Sequence, residues 1–169
     1  MRETDRRSIR LPEFDYSQGG AYFVTICVEG RVGRLGKVSD GTMIANQLGE
    51  TANEGWHWLG TKFPMIRIPV FCVMPNHVHA IIYIEDIGRG GLQTAQGFVW
   101  KKPLGRIVGA YKTHSTVLIN NICGTPGERF WQRNYYERVI RNDRAYEATH
   151  NYIEANSANW EKDEYHGPL

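Results

Sequence analysis

The sequence lacks any apolar run near the ~20 residues that a membrane-spanning helix requires. Its longest apolar stretches, 70–74 and 80–84, fall far short of that. The first twelve residues are charged and have no apolar centre, so no signal peptide is expected there. Cysteine is scarce: Cys27, Cys72 and Cys123 are odd in number and widely spaced, with no CxxC. That argues against a disulfide framework and for reduced thiols in a cytoplasmic protein with no membrane partner, Cys27 and Cys72 lying in strand-like segments. With 41% apolar and 22% charged residues, the composition excludes a disordered chain, a collagen-like chain and a coiled coil. A length of 169 residues suits one domain, 1–169, with a core over about 20–160 and loose tails.

Acid is scarce between 89 and 144. Ten Lys/Arg stand there against Glu128, Glu137 and Asp143, so the segment carries +7 and the remainder −5 of a net +2. Such a basic half is the footprint of a polyanion-binding face, or an ordinary solvated surface.

Residues 21–29 (AYFVTICVE) read as a strand, paired through Gly30 with a second strand near 32–38. Ser39 or Asp40 then caps a helix carrying Ile44, Leu48, Ala52 and Leu59 to about Gly60. Alternation returns over 65–74, where Pro69 demands an edge or a bulge. Pro75-Asn76 turns into a strand over 77–85, followed by a glycine-rich loop over 86–99. A helix starts at Pro103, with Leu104, Ile107, Val108, Tyr111, Leu118, Ile119 and Ile122 on its apolar face. A strand over 136–140 and a helix capped by Asp143 and running to about Ala158 complete the order, with a polar, loose tail from Asn159. The alternation ββαββαβα with short hairpins predicts an α+β domain, a mostly antiparallel sheet with helices packed against it.

The sharpest local feature is the run from Met74 to Ala80, MPNHVHA. Alternation along a strand sends His77 and His79 out of one face, Cα atoms roughly 6.5–7 Å apart, within reach of one divalent cation. Two half-exposed histidines satisfy the same spacing. Tyr152 and Asn156, at i and i+4, share a helix face. They offer a phenol nucleophile and a hard amide-oxygen ligand, or are simply two polar residues on a half-exposed helix.

Taken together, MPNHVHAII (74–82) and YIEAN (152–156) resemble the HUH single-tyrosine transposases of the insertion-sequence type. The block FWQRNYYERVIRN (130–142) and the opening YFVTI (22–26) resemble more specifically the REP-associated tyrosine transposases. The similarity runs from about Tyr22 to Trp160. It implies a ferredoxin-like HUH-endonuclease fold, divalent metal on His77 and His79, Tyr152 as nucleophile and Asn156 completing the metal site. It further implies transposase activity on single-stranded or hairpin DNA, with strands cut and rejoined through a 5′-phosphotyrosine. Imidazole and amide ligands suit Mn²⁺ at least as well as Mg²⁺, which this family usually employs.

Lys101, Lys102, Arg106, Lys112, Arg129, Arg133, Arg138 and Arg141 are the candidates for tracking a DNA backbone. Tyr111 and Trp131 read as core, and the Tyr135-Tyr136 pair as structure or DNA contact. Insertion-sequence relatives point to a homodimer, REP-associated ones to a monomer. Other readings are a domesticated nuclease processing repeated palindromes, and a non-catalytic nucleic-acid-binding domain with a vestigial site. A small-phosphoester hydrolase would need carboxylates beside the histidines, and Glu85 is the only one on their strand face.

Overall fold

The computed structural model describes residues 20–85, 92–93, 99–100 and 103–166. Four strands form the main sheet: β1 (Gly20–Cys27), β4 (Ile66–Val73), β5 (His77–Ile84) and β8 (Tyr136–Ile140). They lie in the order β4-β5-β1-β8 with antiparallel neighbours throughout. β4 is an edge strand whose register shifts between Arg67 and Val70. Pro69 accounts for both features, since it has no N–H to give a ladder.

Even-numbered side chains of β1 and β5 face two helices, α1 (Gln47–Lys62) and α2 (Pro103–Cys123). Tyr22, Val24, Ile26, Val78, Ala80, Ile82 and Ile84 make one apolar cluster with Trp56, Leu59, Leu104, Ile107, Val108 and Tyr111. Trp56 stacks on Tyr111 with ring centroids 4.0 Å apart, and Tyr111 Oη donates to the Ala52 carbonyl at 3.0 Å. Odd-numbered residues leave the opposite face, where α3 (Asp143–Glu154) packs over β4 and β5. The sheet therefore separates an apolar layer from a layer that carries the polar side chains.

Several expectations are corrected. Residues 32–38 do not pair with β1; instead β2 (Gly36–Ser39) and β3 (Thr42–Ala45) make their own hairpin. Its turn is Asp40-Gly41, both at positive φ of 50° and 70°, the mirror-image geometry that matches strand twist. Asp40 is thus a turn residue. The cap of α1 is Asn46, whose side chain accepts from the N–H groups of Leu48 and Gly49. Ile44 belongs to β3 and is exposed. Leu118 and Ile122 also reach solvent, while Ser115, Ile119 and Asn120 are the residues of the later turns that are buried. Asn142 rather than Asp143 caps α3, its side chain accepting from Ala145 N–H. Cys27 and Cys72 lie in β1 and β4, while Cys123 is exposed at the end of α2.

Most of the 86–99 segment lies outside the described residues; β6 (Leu92–Gln93) and β7 (Val99–Trp100) pair as a short ladder. The 130–134 region is tied down firmly. Phe130 and Trp131 are buried, Trp131 bridges Val28, and its Nε1 donates to Ser115 Oγ at 2.8 Å. Among the described residues, no helix is long and apolar enough to cross a membrane.

Candidate active site

β5 starts where the Pro75-Asn76 turn ends, and its odd face delivers His77 and His79 as two fully buried rings. Their Nε2 atoms face each other at 3.0 Å. Behind them, His77 Nδ1 lies 2.8 Å from Asn76 Oδ1, and His79 Nδ1 lies 2.8 Å from Thr25 Oγ1 on the neighbouring strand. Burial pulls His77 down to about 4, with Asp163 opposing and Arg31 adding to the shift. Burial, helped by His77, holds His79 well below its ordinary value. Both imidazoles are therefore neutral near pH 7, the form that ligates a cation.

Above this pair, α3 presents Tyr152. Its Oη is 3.4 Å from His79 Nε2 and 3.3 Å from Asp163 Oδ2. The ring stands edge-on to Phe23, centroids 6.0 Å apart, and is 40% exposed. Its pKa is raised, first by burial and then by the Asp163 charge. Asn156 follows in the turn beyond α3, at 2% exposure. Its Nδ2 donates to Asp163 Oδ2 at 2.7 Å, and its buried Oδ1 has no hydrogen-bond partner among the described residues. An unsatisfied buried acceptor is costly unless something binds it.

Asp163 is the residue that sequence reasoning missed. One ligand atom from each of His77, His79 and Asp163 lies within 4.8 Å of the others. The tail from Asn159, expected to be loose, instead packs over the histidines. A short 3₁₀ turn at Trp160–Lys162 buries Trp160, and the Trp160 and Tyr165 ring centroids lie 6.0 and 4.8 Å from that of His77. Two large aromatics in a polar tail were the available signal. Glu85, the carboxylate expected nearest, pairs with Arg67 at 2.9 Å instead.

The structure brings Tyr152, His77, His79 and Asn156 together. The basic candidates are dispersed. Lys101 and Lys102 lie outside the described residues. Arg106 and Arg141 are exposed, on α2 and just after β8. Lys112 Nζ donates to the carbonyls of Gln132, Arg133 and Asn134 at 2.8, 3.2 and 3.0 Å, so it holds the 132–134 backbone to α2. Arg129 lies 4.0 Å from Glu29. Arg133 lines an open groove of about 470 Å³ between α2 and the 126–133 loop. Arg138 reaches the site, its guanidinium 5.6 Å from the Phe23 ring centre, and Phe23 packs on His79 at 5.1 Å.

Two neutral imidazoles, an amide oxygen and a carboxylate form a mixed nitrogen and oxygen donor set that fits Mn²⁺ or Mg²⁺. The orphaned Asn156 Oδ1 is the observation that supports the fit.

No family model matches the chain. It is 33% identical over 165 residues to an uncharacterized protein of Haemophilus influenzae, covering 94% of this chain and 92% of that one. Among solved structures it is similar to the REP-associated tyrosine transposase bound to a REP hairpin. That match has a TM-score of 0.60 and 18% identity, over 85% of this chain and 69% of that one. The chain belongs to one family with the Haemophilus influenzae protein, and its fold is similar to that of the REP-associated tyrosine transposase.

Proposed function

We propose that the chain is a metal-dependent single-tyrosine DNA strand transferase that cuts and rejoins single-stranded or hairpin DNA. The observation that carries this reading is the placement of the Tyr152 phenol 3.4 Å from one of two facing imidazole nitrogens. His77 and His79 through Nε2, Asn156 through Oδ1 and Asp163 through its carboxylate would hold a divalent cation. Such a cation supplies Lewis-acid polarisation of a phosphodiester oxygen.

The chain's own residues supply the rest. Tyr152 Oη attacks phosphorus and forms a new O–P bond while the bond from phosphorus to the 3′ oxygen breaks. The phenol proton has an acceptor in Asp163 Oδ2 at 3.3 Å, and the departing 3′ oxygen takes a proton from solvent. A 5′-phosphotyrosine and a free 3′ hydroxyl result. The covalent link keeps the phosphodiester bond energy, so a second 3′ hydroxyl reverses the step and joins strands. The Arg138 guanidinium, 5.6 Å from the Phe23 ring centre, supports a phosphate contact beside Tyr152, and Arg106, Arg129, Arg133 and Arg141, with Lys101 and Lys102, are the further candidates for backbone phosphates. Exposed Tyr136 offers a face for an unpaired base.

The test uses a 3′-fluorescent hairpin oligonucleotide with a single-stranded flank, Mn²⁺ or chelator, and a denaturing gel. The expected result is a labelled protein band that needs Mn²⁺ and is absent from Tyr152→Phe. Adduct retained by Tyr152→Phe overturns the nucleophile assignment. Binding without adduct by the unmodified protein leaves a nucleic-acid-binding domain.

A further inference from the structure

We infer that Asn76 and Thr25 are positioning residues that set which nitrogen of each histidine carries the proton. Asn76 is the fixed partner and Thr25 the adaptable one. The inference rests on the proposed cation site and adds two residues to it that touch neither cation nor DNA.

The amide orientation of Asn76 is determined by its surroundings. Its Nδ2 points at two carbonyl oxygens, those of Arg31 at 3.1 Å and Tyr165 at 2.8 Å. Carbonyl oxygens only accept, so the NH₂ must face them and Oδ1 must face His77. An amide oxygen also only accepts. The 2.8 Å contact to His77 Nδ1 therefore requires the proton on Nδ1, and the lone pair of His77 is fixed on Nε2, pointing into the site. Asn76 is 2% exposed, and its own carbonyl accepts from Val28 N–H at 2.8 Å, so backbone and side chain are both anchored.

His79 meets a different partner. Thr25 Oγ1, 2.8 Å from Nδ1, is a hydroxyl that either donates or accepts. With His77 Nε2 bearing a lone pair, the 3.0 Å contact between the two Nε2 atoms is a hydrogen bond when His79 carries its proton on Nε2. Thr25 then donates to His79 Nδ1. A cation between the rings needs both Nε2 lone pairs. Moving the His79 proton to Nδ1 provides the second, and Thr25 turns its hydroxyl to accept. No net proton enters or leaves the pair. A backbone carbonyl cannot reverse roles in this way, and a side-chain amide does so only by turning over, which gives a hydroxyl at position 25 its specific use. Hydrogen-bonded partners behind metal-binding imidazoles act in this manner generally.

The test has two readouts that do not depend on DNA cleavage. Long-range ¹H–¹⁵N correlation spectra of ¹⁵N-histidine-labelled protein report tautomers directly. The expected result is His77 with its proton on Nδ1 with or without Mg²⁺, and His79 changing from Nε2–H to Nδ1–H on Mg²⁺ addition. Calorimetric titration with Mn²⁺ should show a 10- to 100-fold weaker Kd for Asn76→Ala and Thr25→Val, with Thr25→Ser restoring near-original affinity. Should Asn76→Ala fail to fold, the Thr25 pair decides alone. His77 found as the Nε2–H tautomer, or Mn²⁺ affinity unchanged in folded Thr25→Val, overturns the inference. A wild-type chain with the expected His77 tautomer but no Mn²⁺ uptake overturns the cation site and leaves the Asn76 assignment supported.

Discussion

Asn156 Nδ2 donates to Asp163 Oδ2 at 2.7 Å, and this one bond orients both groups. A carboxylate only accepts, so the amide must turn its NH₂ toward Asp163 and its oxygen away. That oxygen is the buried acceptor left without a partner. The same carboxylate oxygen lies 3.3 Å from Tyr152 Oη, so Asp163 links the Tyr152 phenol to the Asn156 amide. The turn that follows α3 places Asn156 two residues past the helix end, while the 3₁₀ turn at Trp160–Lys162 folds Asp163 back over it.

Asp163→Asn should weaken Mn²⁺ binding by tenfold or more, since loss of even a supporting partner behind a metal ligand costs about 10- to 100-fold. The substitution keeps the volume but removes the charge and replaces one accepting oxygen by an NH₂ donor. The same variant should ease ionisation of Tyr152, because the Asp163 charge adds to burial in raising its pKa. Calorimetry reads the first effect, and ultraviolet titration of tyrosine against Tyr152→Phe reads the second. Unchanged Mn²⁺ affinity would remove Asp163 from the ligand set and leave it as the acceptor of the phenol proton.

The polar half of the site was legible wherever local periodicity decides geometry. His77 and His79 share a strand face because alternation is a property of the strand itself. The edge position of β4 followed from Pro69 for the same local reason. Asp163 was illegible because its position depends on Trp160 and Tyr165 finding the histidine rings, a long-range packing event in a polar segment. The β2–β3 hairpin was hidden for a different reason. Asp40 serves equally as a helix cap and as a turn residue, and only Gly41 beside it distinguishes the two. The basic residues show a third limit: Lys112 counts toward a charge footprint, yet the backbone carbonyls of 132–134 take its hydrogen bonds.

Stability of the protein in chelator should fall as pH drops from about 6.5 toward 4. His77 titrates near 6.5 when unfolded and at about 4 when folded. Between those values the unfolded chain binds more protons, so lower pH favours unfolding. The full shift corresponds to roughly 3 kcal/mol from this group. Urea unfolding from pH 7.5 to 4.5 measures it, and His77→Gln should flatten the profile. A slope unaffected by His77→Gln would place the acid sensitivity elsewhere.

Gly49→Ala should destabilise the fold by about 1–3 kcal/mol, even though alanine is the better helix former. A Cβ at position 49 lands on the Leu35 carbonyl oxygen and lies 3.0 Å from the Ala45 side chain. The Leu35 carbonyl cannot yield readily, since it accepts from Asn46 N–H at 3.0 Å at the start of α1. Gly60→Ala is the control, on the same helix with open space around its Cβ position. Urea midpoints for the two variants should move in opposite directions.

Lys112 and Arg133 should separate into a structural cation and a DNA-binding one. Lys112→Met removes hydrogen bonds to three carbonyls and should cost about 2 kcal/mol of stability, the order expected for bonds to a charged donor. Burial lowers the pKa of the half-buried Lys112 ammonium to about 8, and its hydrogen bonds go to backbone carbonyls. Arg133 is exposed on the groove beside α2. Arg133→Ala should leave thermal stability within about 0.5 kcal/mol. It should reduce the slope of log affinity for single-stranded DNA against log salt by about 0.7, the contribution of one phosphate contact. Fluorescence anisotropy over a salt series measures that slope, and thermal melts measure the stability. A Lys112→Met variant that keeps its stability but loses salt slope would reverse the assignment, and it would make the 132–134 carbonyls a resting place for a phosphate-binding ammonium.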